Sequence, residues 1–382
     1  MESKMESGIA VLCSGLDSKL RGYETHQRTL FNCLIGEKYN ATLYKRDGKN
    51  IKNREVALHT PSYKSKVSKL FSRFYDTPLQ CQMAFFGIAF IFHSFIFRRK
   101  YEYIFIIEPG LLRVIFKIKK FLPGSPRLIY THGINDEPKY YFNYCDDIIE
   151  VSEPAYKVTK TFSNNTGSPP KIWLIPHFIE NLHKNEETRN NAKREYLKSE
   201  LGIKTEMVLL HVGVICKKPK NVDYIIDEFS RLPNNWTLLL VGSILDKDIL
   251  IKGQEKLGDR LIQTSLPRES MWIPYSLSDI MAFASTEEGF GITIIEALSN
   301  KLPILLPEIP LYSWITRNNS NMLYKLEPGS LSSKILEYSA SPNWLSEQIV
   351  YGHKLVSENY TWNSVKPTYK RLLDGRISKN SS

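Results

Sequence analysis

The residues best suited to chemistry lie in one short stretch, STEEGFGITIIEALSNKLPIL, residues 285–305. Two glutamates precede Gly289-Phe290-Gly291, and a third, Glu296, sits inside a run that is otherwise almost wholly apolar. Burying a carboxylate without a partner is costly, so Glu296 must hold something. The stretch follows an apolar strand, SDIMAFAS (278–285), and opens a helix near Gly291. Glycines there let backbone approach a ligand closely, and the free N–H groups of a new helix suit a phosphate. Glu296, in the second helical turn, is placed to accept hydrogen bonds from a sugar's hydroxyl pair. Glu288, on the loop side, would face the same molecule from its other end. The same acids also fit an ordinary helix N-terminus, which attracts negative charge.

The surrounding elements read as strand alternating with helix. GIAVLCS (8–14), YEYIFIIEPG (101–110), PRLIYTHG (126–133), DDIIEVSE (146–153) and WLIPHFIE (173–180) are strand-like, with a helix over about 23–35. The pattern restarts with MVLLHVGV (207–214), helix 221–232, WTLLLVGS (236–243), SDIMAFAS and LPILLPE (302–308). Continuous rather than alternating apolarity argues for parallel sheets covered by helices on both faces. At 382 residues the chain exceeds one usual hydrophobic core. The predicted organisation is α/β with two Rossmann-like domains, residues 1–182 and 183–364, and a tail over 365–382 that crosses back to the first. The charged segment 182–202 marks the boundary, and a ligand cleft is expected around it, at the carboxyl ends of the strands.

Composition narrows the class. The five cysteines (Cys13, Cys33, Cys81, Cys145, Cys216) are scattered and form no CxxC pair, which argues against a disulfide framework or zinc site and for a reducing cytosol. The N-terminal MESKMESG does not read as a signal peptide. Net charge is +11, and residues 38–120 hold 17 Lys and Arg against five acids, so this segment carries the whole excess. Such a face suits an anionic partner, although a solvated face without one has the same composition. The apolar run Met83–Phe97 falls short of a membrane span and predicts a buried or interfacial helix. Val67, Leu70, Phe71 and Phe74 recur at helical spacing among Lys64, Lys66, Lys69 and Arg73. That pattern fits a helix lying on an anionic bilayer and equally a helix of an α/β layer. None of the common nucleic-acid module signatures is present, so nucleic acid is not an expected partner.

The stretch Glu288-Gly289-Phe290-Gly291-Ile292…Glu296-Ala297-Leu298…Pro303 resembles the signature of the retaining GT-B glycosyltransferases of glycosyltransferase family 4. The resemblance implies that Glu296 binds the ribose of a nucleotide sugar and that Glu288 acts at the transferred sugar. It also implies that the backbone of Gly289, Phe290, Gly291, Ile292 and Thr293 meets phosphate and sugar. Further matches follow in the family's order. RGYETH (21–26) resembles its first glycine-rich loop, which places Gly22 and Tyr23 near the donor diphosphate. YTHG (130–133) puts His132 at the donor sugar, and IPHFIE (175–180) is similar to a conserved-type turn with His177 and Glu180 substituted. TW (361–362) resembles the end of the second domain.

There are two departures. Lys301 stands where the family has Gly, with Asn300 expected to supply the left-handed helix stop. In GVICKKPKNVD (213–223), Val214 replaces an Arg that grips the diphosphate, which leaves Lys220 and Lys218 (or Lys217) for that task. Lysine serves phosphate as a point charge, without the fork of Arg. DKD (246–248) follows a strand matched to the second domain and is not read as a metal motif.

These matches imply a retaining hexosyltransferase that needs no metal or other cofactor, with catalytic roles for His132 and Glu288. The donor is a nucleotide diphosphate sugar, and the acceptor is a glycan or glycolipid at a cytoplasmic membrane face, where anionic lipid is a further partner. A nucleotide-sugar epimerase or a non-catalytic nucleotide-sugar-binding protein on the same fold are the alternatives.

Overall fold

The computed structural model describes residues 8–16, 22–51, 54–71, 77–133, 136–164, 166–182 and 191–374. The chain forms two compact units, Met1–Glu180 with Lys366–Ser382, and Asn181–Val365. In the first unit seven parallel strands pair in the order β3-β2-β1-β4-β5-β6-β7. They are β1 (Gly8–Cys13), β2 (Ala41–Lys45), β3 (Glu55–Ala57), β4 (Tyr101–Ile106), β5 (Arg127–His132), β6 (Asp147–Glu150) and β7 (Lys171–Leu174). The second unit holds β8 (Met207–Val212), β9 (Trp236–Val241), β10 (Leu261–Thr264), β11 (Ile280–Ala282), β12 (Ile304–Pro307) and β13 (Leu323–Tyr324). Their order is β10-β9-β8-β11-β12-β13, again parallel.

Each sheet is apolar on both faces because helices cover both. Ala10, Leu12, Ile104 and Ile106 join Phe86, Phe90 and Leu111 in the first core. Leu209, Leu238 and Leu240 join Ile225, Phe229 and Ile335 in the second. With no solvated sheet face, polar side chains gather at the strand ends, which is where ligands meet such sheets.

The long apolar run is a helix, Pro78–Ile96, started by Thr77, whose hydroxyl accepts from the Gln80 N–H at 3.2 Å. Among the described residues it is the one helix long and apolar enough to cross a membrane. One face is buried (Cys81, Met83, Phe86, Phe90, Ser94), while Ile88, Phe92, Phe95 and Ile96 are exposed. The predicted amphipathic helix is shorter, Lys66–Phe71, and Ser68 is its buried residue. Val67, Leu70 and Phe71 face outward, so it is not a layer helix with an apolar face turned to the core. Arg73 and Phe74 lie outside the described residues.

Strands β2, β3, β10 and β13 are absent from the sequence reading. In β2 the reason is visible: its last residue is a buried lysine. Lys45 Nζ lies 2.8 Å from Glu55 Oε2 in β3, and Arg28 Nη1 lies 2.5 Å from Glu55 Oε1. Pairing across the strands lets charged residues occupy a buried edge that composition alone marks as polar. Glu55→Ala should lower stability by about 3 kcal/mol, because it strands the buried ammonium, whereas Lys45→Met with Glu55→Leu should recover most of the loss. Calorimetric unfolding of the three proteins checks this.

Candidate active site

In the second unit the loops after β8 and β9 are drawn together by glycine. A Cβ at Gly242 would overlap the carbonyl of Gly213, so only glycine permits this approach. The loop after β8 runs to the helix Val222–Phe229 and is tied down at three points. Asp246 Oδ2 accepts from the Lys217 N–H at 2.7 Å, so the first acid of the DKD stretch holds this loop. The Thr286 N–H donates to the Pro219 carbonyl at 3.1 Å. Asn221, with a left-handed φ of 48°, donates through Nδ2 to the Ala284 carbonyl at 3.0 Å.

These ties bring Lys220 into an ion pair with Glu288. Two residues singled out separately in the sequence therefore occupy one spot. Lys218 is exposed on the same loop, and Val214 is exposed as well.

Gly291, at φ 89°, caps the helix Ile292–Ser299 in a conformation that glycine tolerates best. Phe290 is buried against Trp314 and Tyr360, with ring centroids 6.2 and 5.7 Å away, so it presents backbone rather than side chain to any ligand. Ile292 is buried likewise, while Gly289 and Thr293 are partly exposed. Glu296 is 2% exposed and already has partners. Arg268 forms an ion pair with its Oε1, and the Tyr275 hydroxyl donates to Oε2 at 2.9 Å.

Burial, and then the charge of Glu296, push the Tyr275 phenol well up. Burial pulls Arg268 down, but the Glu296 hydrogen bond and charge more than restore it. Neither partner was legible in the sequence, since they lie 28 and 21 positions upstream with no periodic link to Glu296. The helix stop also differs from expectation: Lys301, not Asn300, takes the left-handed φ, at 59°. Asn300 instead caps the helix at φ −86° and donates from Nδ2 to the Glu296 carbonyl at 2.8 Å.

In the first unit His132 ends β5 beside Glu150, which ends β6 in register with it. His132 Nδ1 lies 2.7 Å from Glu150 Oε2. Thr159 and Tyr141 donate to Oε1 of the same carboxylate at 2.6 and 3.2 Å. Glu150 thereby orients the ring, and Nε2 is left buried without a hydrogen-bond partner. Burial, then the Glu150 charge, raise the Tyr141 phenol.

Gly22 and Tyr23 form the first turn of the helix Gly22–Gly36, which begins within a residue of the one expected over about 23–35. A Cβ on Gly15, after β1, would press on the Glu24 carboxylate. Ser14 donates to the buried Glu108 carboxylate through its N–H (2.8 Å) and hydroxyl (2.5 Å). Glu150 ends an apolar strand and Glu108 lies two residues past another, a signal the sequence reading could have used. His177, in the substituted turn, stacks at 4.2 Å on His26. Burial holds both rings neutral, taking His26 down to about 3. Among the described residues no group of three or more His, Cys, Asp or Glu could hold a metal ion.

Comparison with known proteins agrees with this arrangement. Residues 193–352 match the family model of glycosyl transferases group 1. Over 99 residues the chain is 31% identical to the serotype-specific mannosyltransferase WbdA of Escherichia coli, covering 26% of this chain and 11% of that one. It is 25% identical over 266 residues to the alpha-galactosylglucosyldiacylglycerol synthase of Streptococcus pneumoniae, covering 65% and 64%. The chain thus matches about a tenth of the first relative's length and under two thirds of the second's. HepE from Anabaena, solved with UDP and glucose, superposes with a TM-score of 0.71 at 14% identity, covering 97% of this chain and all of that one. The two parallel Rossmann-like sheets are those of the GT-B fold.

Beneath the lysine loop lies His211, which is buried, with Nδ1 3.1 Å from the Ala282 carbonyl. Burial lowers its pKa to about 4, against the hydrogen bond to Ala282 and assisted by Lys220. A neutral ring is what folds, so its stabilising contribution is whole above pH 6.5 and is lost as pH falls toward 4, the unfolded chain taking the proton first. Stability should drop by roughly 2 kcal/mol between pH 7 and 5 on this account. Urea unfolding of the native protein and of His211→Gln at the two pH values checks this, the variant showing the smaller drop.

Proposed function

We propose, from the match of residues 193–352 to the family model of glycosyl transferases group 1, that the chain moves a sugar from a nucleotide diphosphate sugar to an acceptor hydroxyl, with retention at the anomeric carbon and without a metal. The observation that carries this reading is the Lys220–Glu288 pair beside the glycine-capped start of the Ile292–Ser299 helix. A doubly charged diphosphate competes for Lys220 far better than one carboxylate does. Donor binding would therefore draw the ammonium to phosphate and release Glu288 to the sugar hydroxyls. Lys218 adds a second positive charge from the same loop. The UDP and glucose bound by HepE support a donor of this class.

Glu296 would meet the ribose. Each carboxylate oxygen has a further lone pair beyond those used by Arg268 and Tyr275, so a hydroxyl pair can be added without discarding both partners. In the first unit, His132 donates through Nδ1 to Glu150, which leaves Nε2 of the neutral ring as an acceptor for a hydroxyl of the sugar. In the transfer step the acceptor oxygen bonds to the anomeric carbon on the face from which the carbon–oxygen bond to phosphate breaks. The acceptor proton leaves with the departing phosphate oxygen. The diacylglycerol glycolipid named for the Streptococcus pneumoniae relative supports a lipid or polysaccharide acceptor worked on at the cytoplasmic face of a membrane.

The decisive measurement is a new glycosidic linkage formed from a panel of nucleotide sugars and glycolipid acceptors. Release of free or isomerised sugar, or binding without turnover, would assign the protein to epimerisation or to sequestration instead. Lys220→Ala should weaken nucleotide diphosphate binding by about 1.5–3 kcal/mol, and Glu296→Gln should weaken it within the same range. Glu288→Gln should leave nucleotide affinity in place and lower kcat about a hundredfold, the mark of contacts made at the transition state. Calorimetry and steady-state kinetics separate the two groups, and loss of nucleotide binding in Glu288→Gln would reverse the assignment.

A further inference from the structure

We propose that Arg268 is a positioning residue for nucleotide selection: with Tyr275 it fixes the plane of the Glu296 carboxylate, so that the two oxygens accept both hydroxyls of a ribose and a 2′-deoxyribonucleotide is discriminated against. This deepens the proposed function and rests on its assignment of Glu296 to the ribose.

Both partners of Glu296 come from one stretch of chain. After β10 it makes a 3-10 turn over Arg268–Ser270 and then the short helix Trp272–Leu277. Arg268 reaches Oε1 of Glu296, and the Tyr275 hydroxyl donates to Oε2 at 2.9 Å. Each oxygen has its own donor, so turning the carboxylate about its last bond would break both contacts. The stretch is anchored at its far end as well. Arg194 donates through Nε to the Leu277 carbonyl at 2.9 Å and pairs with Asp279 at 2.7 Å. The helix that carries Glu296 is fastened too, since Ser299 Oγ and Asn300 Nδ2 donate to the Glu296 carbonyl at 3.0 and 2.8 Å.

Folding stability alone does not account for this arrangement. The Glu296 side chain is 2% exposed and that of Arg268 is 43% exposed. Desolvating the acid offsets most of the attraction, so such a pair adds little net stability over apolar side chains of the same volume. What it does supply is geometry. Arg268 and Tyr275 leave a lone pair on each oxygen of the carboxylate. Two acceptors held in one plane suit the neighbouring 2′- and 3′-hydroxyls of a ribose, as they suit the parallel N–H groups of an arginine. A carboxylate free to turn would take a single hydroxyl equally well and would not tell ribose from deoxyribose. Arg268 also differs in task from Lys220. The lysine is expected to leave Glu288 for phosphate, whereas Arg268 stays on Glu296 when the nucleotide binds.

Calorimetric titration of the full chain with UDP, GDP and their 2′-deoxy counterparts tests this, with inorganic pyrophosphate as a probe of the phosphate site alone. The native protein should bind the preferred ribonucleotide at least about tenfold more tightly than its deoxy form. Arg268→Gln should lose about tenfold for the ribonucleotide and change the deoxy affinity less than about threefold, so the preference collapses. Arg268→Lys keeps the charge without the fork and should retain part of the preference. Tyr275→Phe removes one buried hydroxyl and should lower the preference too, with thermal unfolding as the check that each variant is folded. Pyrophosphate affinity should be the same in all of them. The proposal falls if Arg268→Gln weakens ribose and deoxyribose forms alike, which marks a structural role, or weakens pyrophosphate, which makes Arg268 a phosphate ligand. It also falls if Arg268→Lys and Tyr275→Phe both keep the full native preference. A native protein that binds UDP or GDP with no preference for ribose overturns the Glu296 assignment along with this one, and binding of neither overturns the donor reading itself.

Discussion

A parallel sheet covered on both faces has no place for an ionised side chain except at its strand ends, and there a buried carboxylate must be paired. The candidate site follows from that constraint. Glu108, Glu150 and Glu296 each have their charge met by hydroxyls, an N–H, an imidazole or a guanidinium. The pairing leaves hydrogen-bonding capacity over at His132 Nε2 and at the remaining lone pairs of Glu296, which the fold among the described residues does not use. The same pairings that make the acids tolerable therefore also orient the groups beside them.

The lysine loop works by a different balance. Its ties to Asp246, Ala284 and Thr286 use backbone groups and short side chains, so the loop is set before any anion arrives. Lys220 meanwhile rests on Glu288, a partner of the same sign as phosphate but of half its charge or less. A site held by such an exchangeable ion pair needs little rearrangement of backbone to accept a donor. The absence of an arginine at Val214 is consistent with this economy, because one lysine changes partner where an arginine would hold two oxygens at once. In the first unit the corresponding order is set by Glu150, which fixes the His132 ring through a register pairing of β5 with β6.

The surface of the first unit is organised by the same accounting of charge. Two acids of its basic segment, Glu55 and Glu108, are drawn inward to pair with Lys45, Arg28 and Ser14.

The sequence by itself determined the α/β class, the two sheets, the helix that opens at Ile292 and the interest of Glu288 and Glu296, while His132 and Lys220 came forward only through the resemblance to a family. Those features are local: continuous apolar runs, glycine at a helix start, and charges next to strands are all written within ten or so neighbours. Tertiary structure alone decided the partners. Arg268 and Tyr275 reach Glu296 only because β10 and the following helix are brought beside the Ile292–Ser299 helix, and Lys220 reaches Glu288 only because two strand-end loops are tied together. It also decided that a lysine could end the buried strand β2 and that Lys301 rather than Asn300 would turn the helix. In each case the deciding contact is made between residues distant in the chain or set by backbone hydrogen bonding. Neither leaves a trace in spacing or composition.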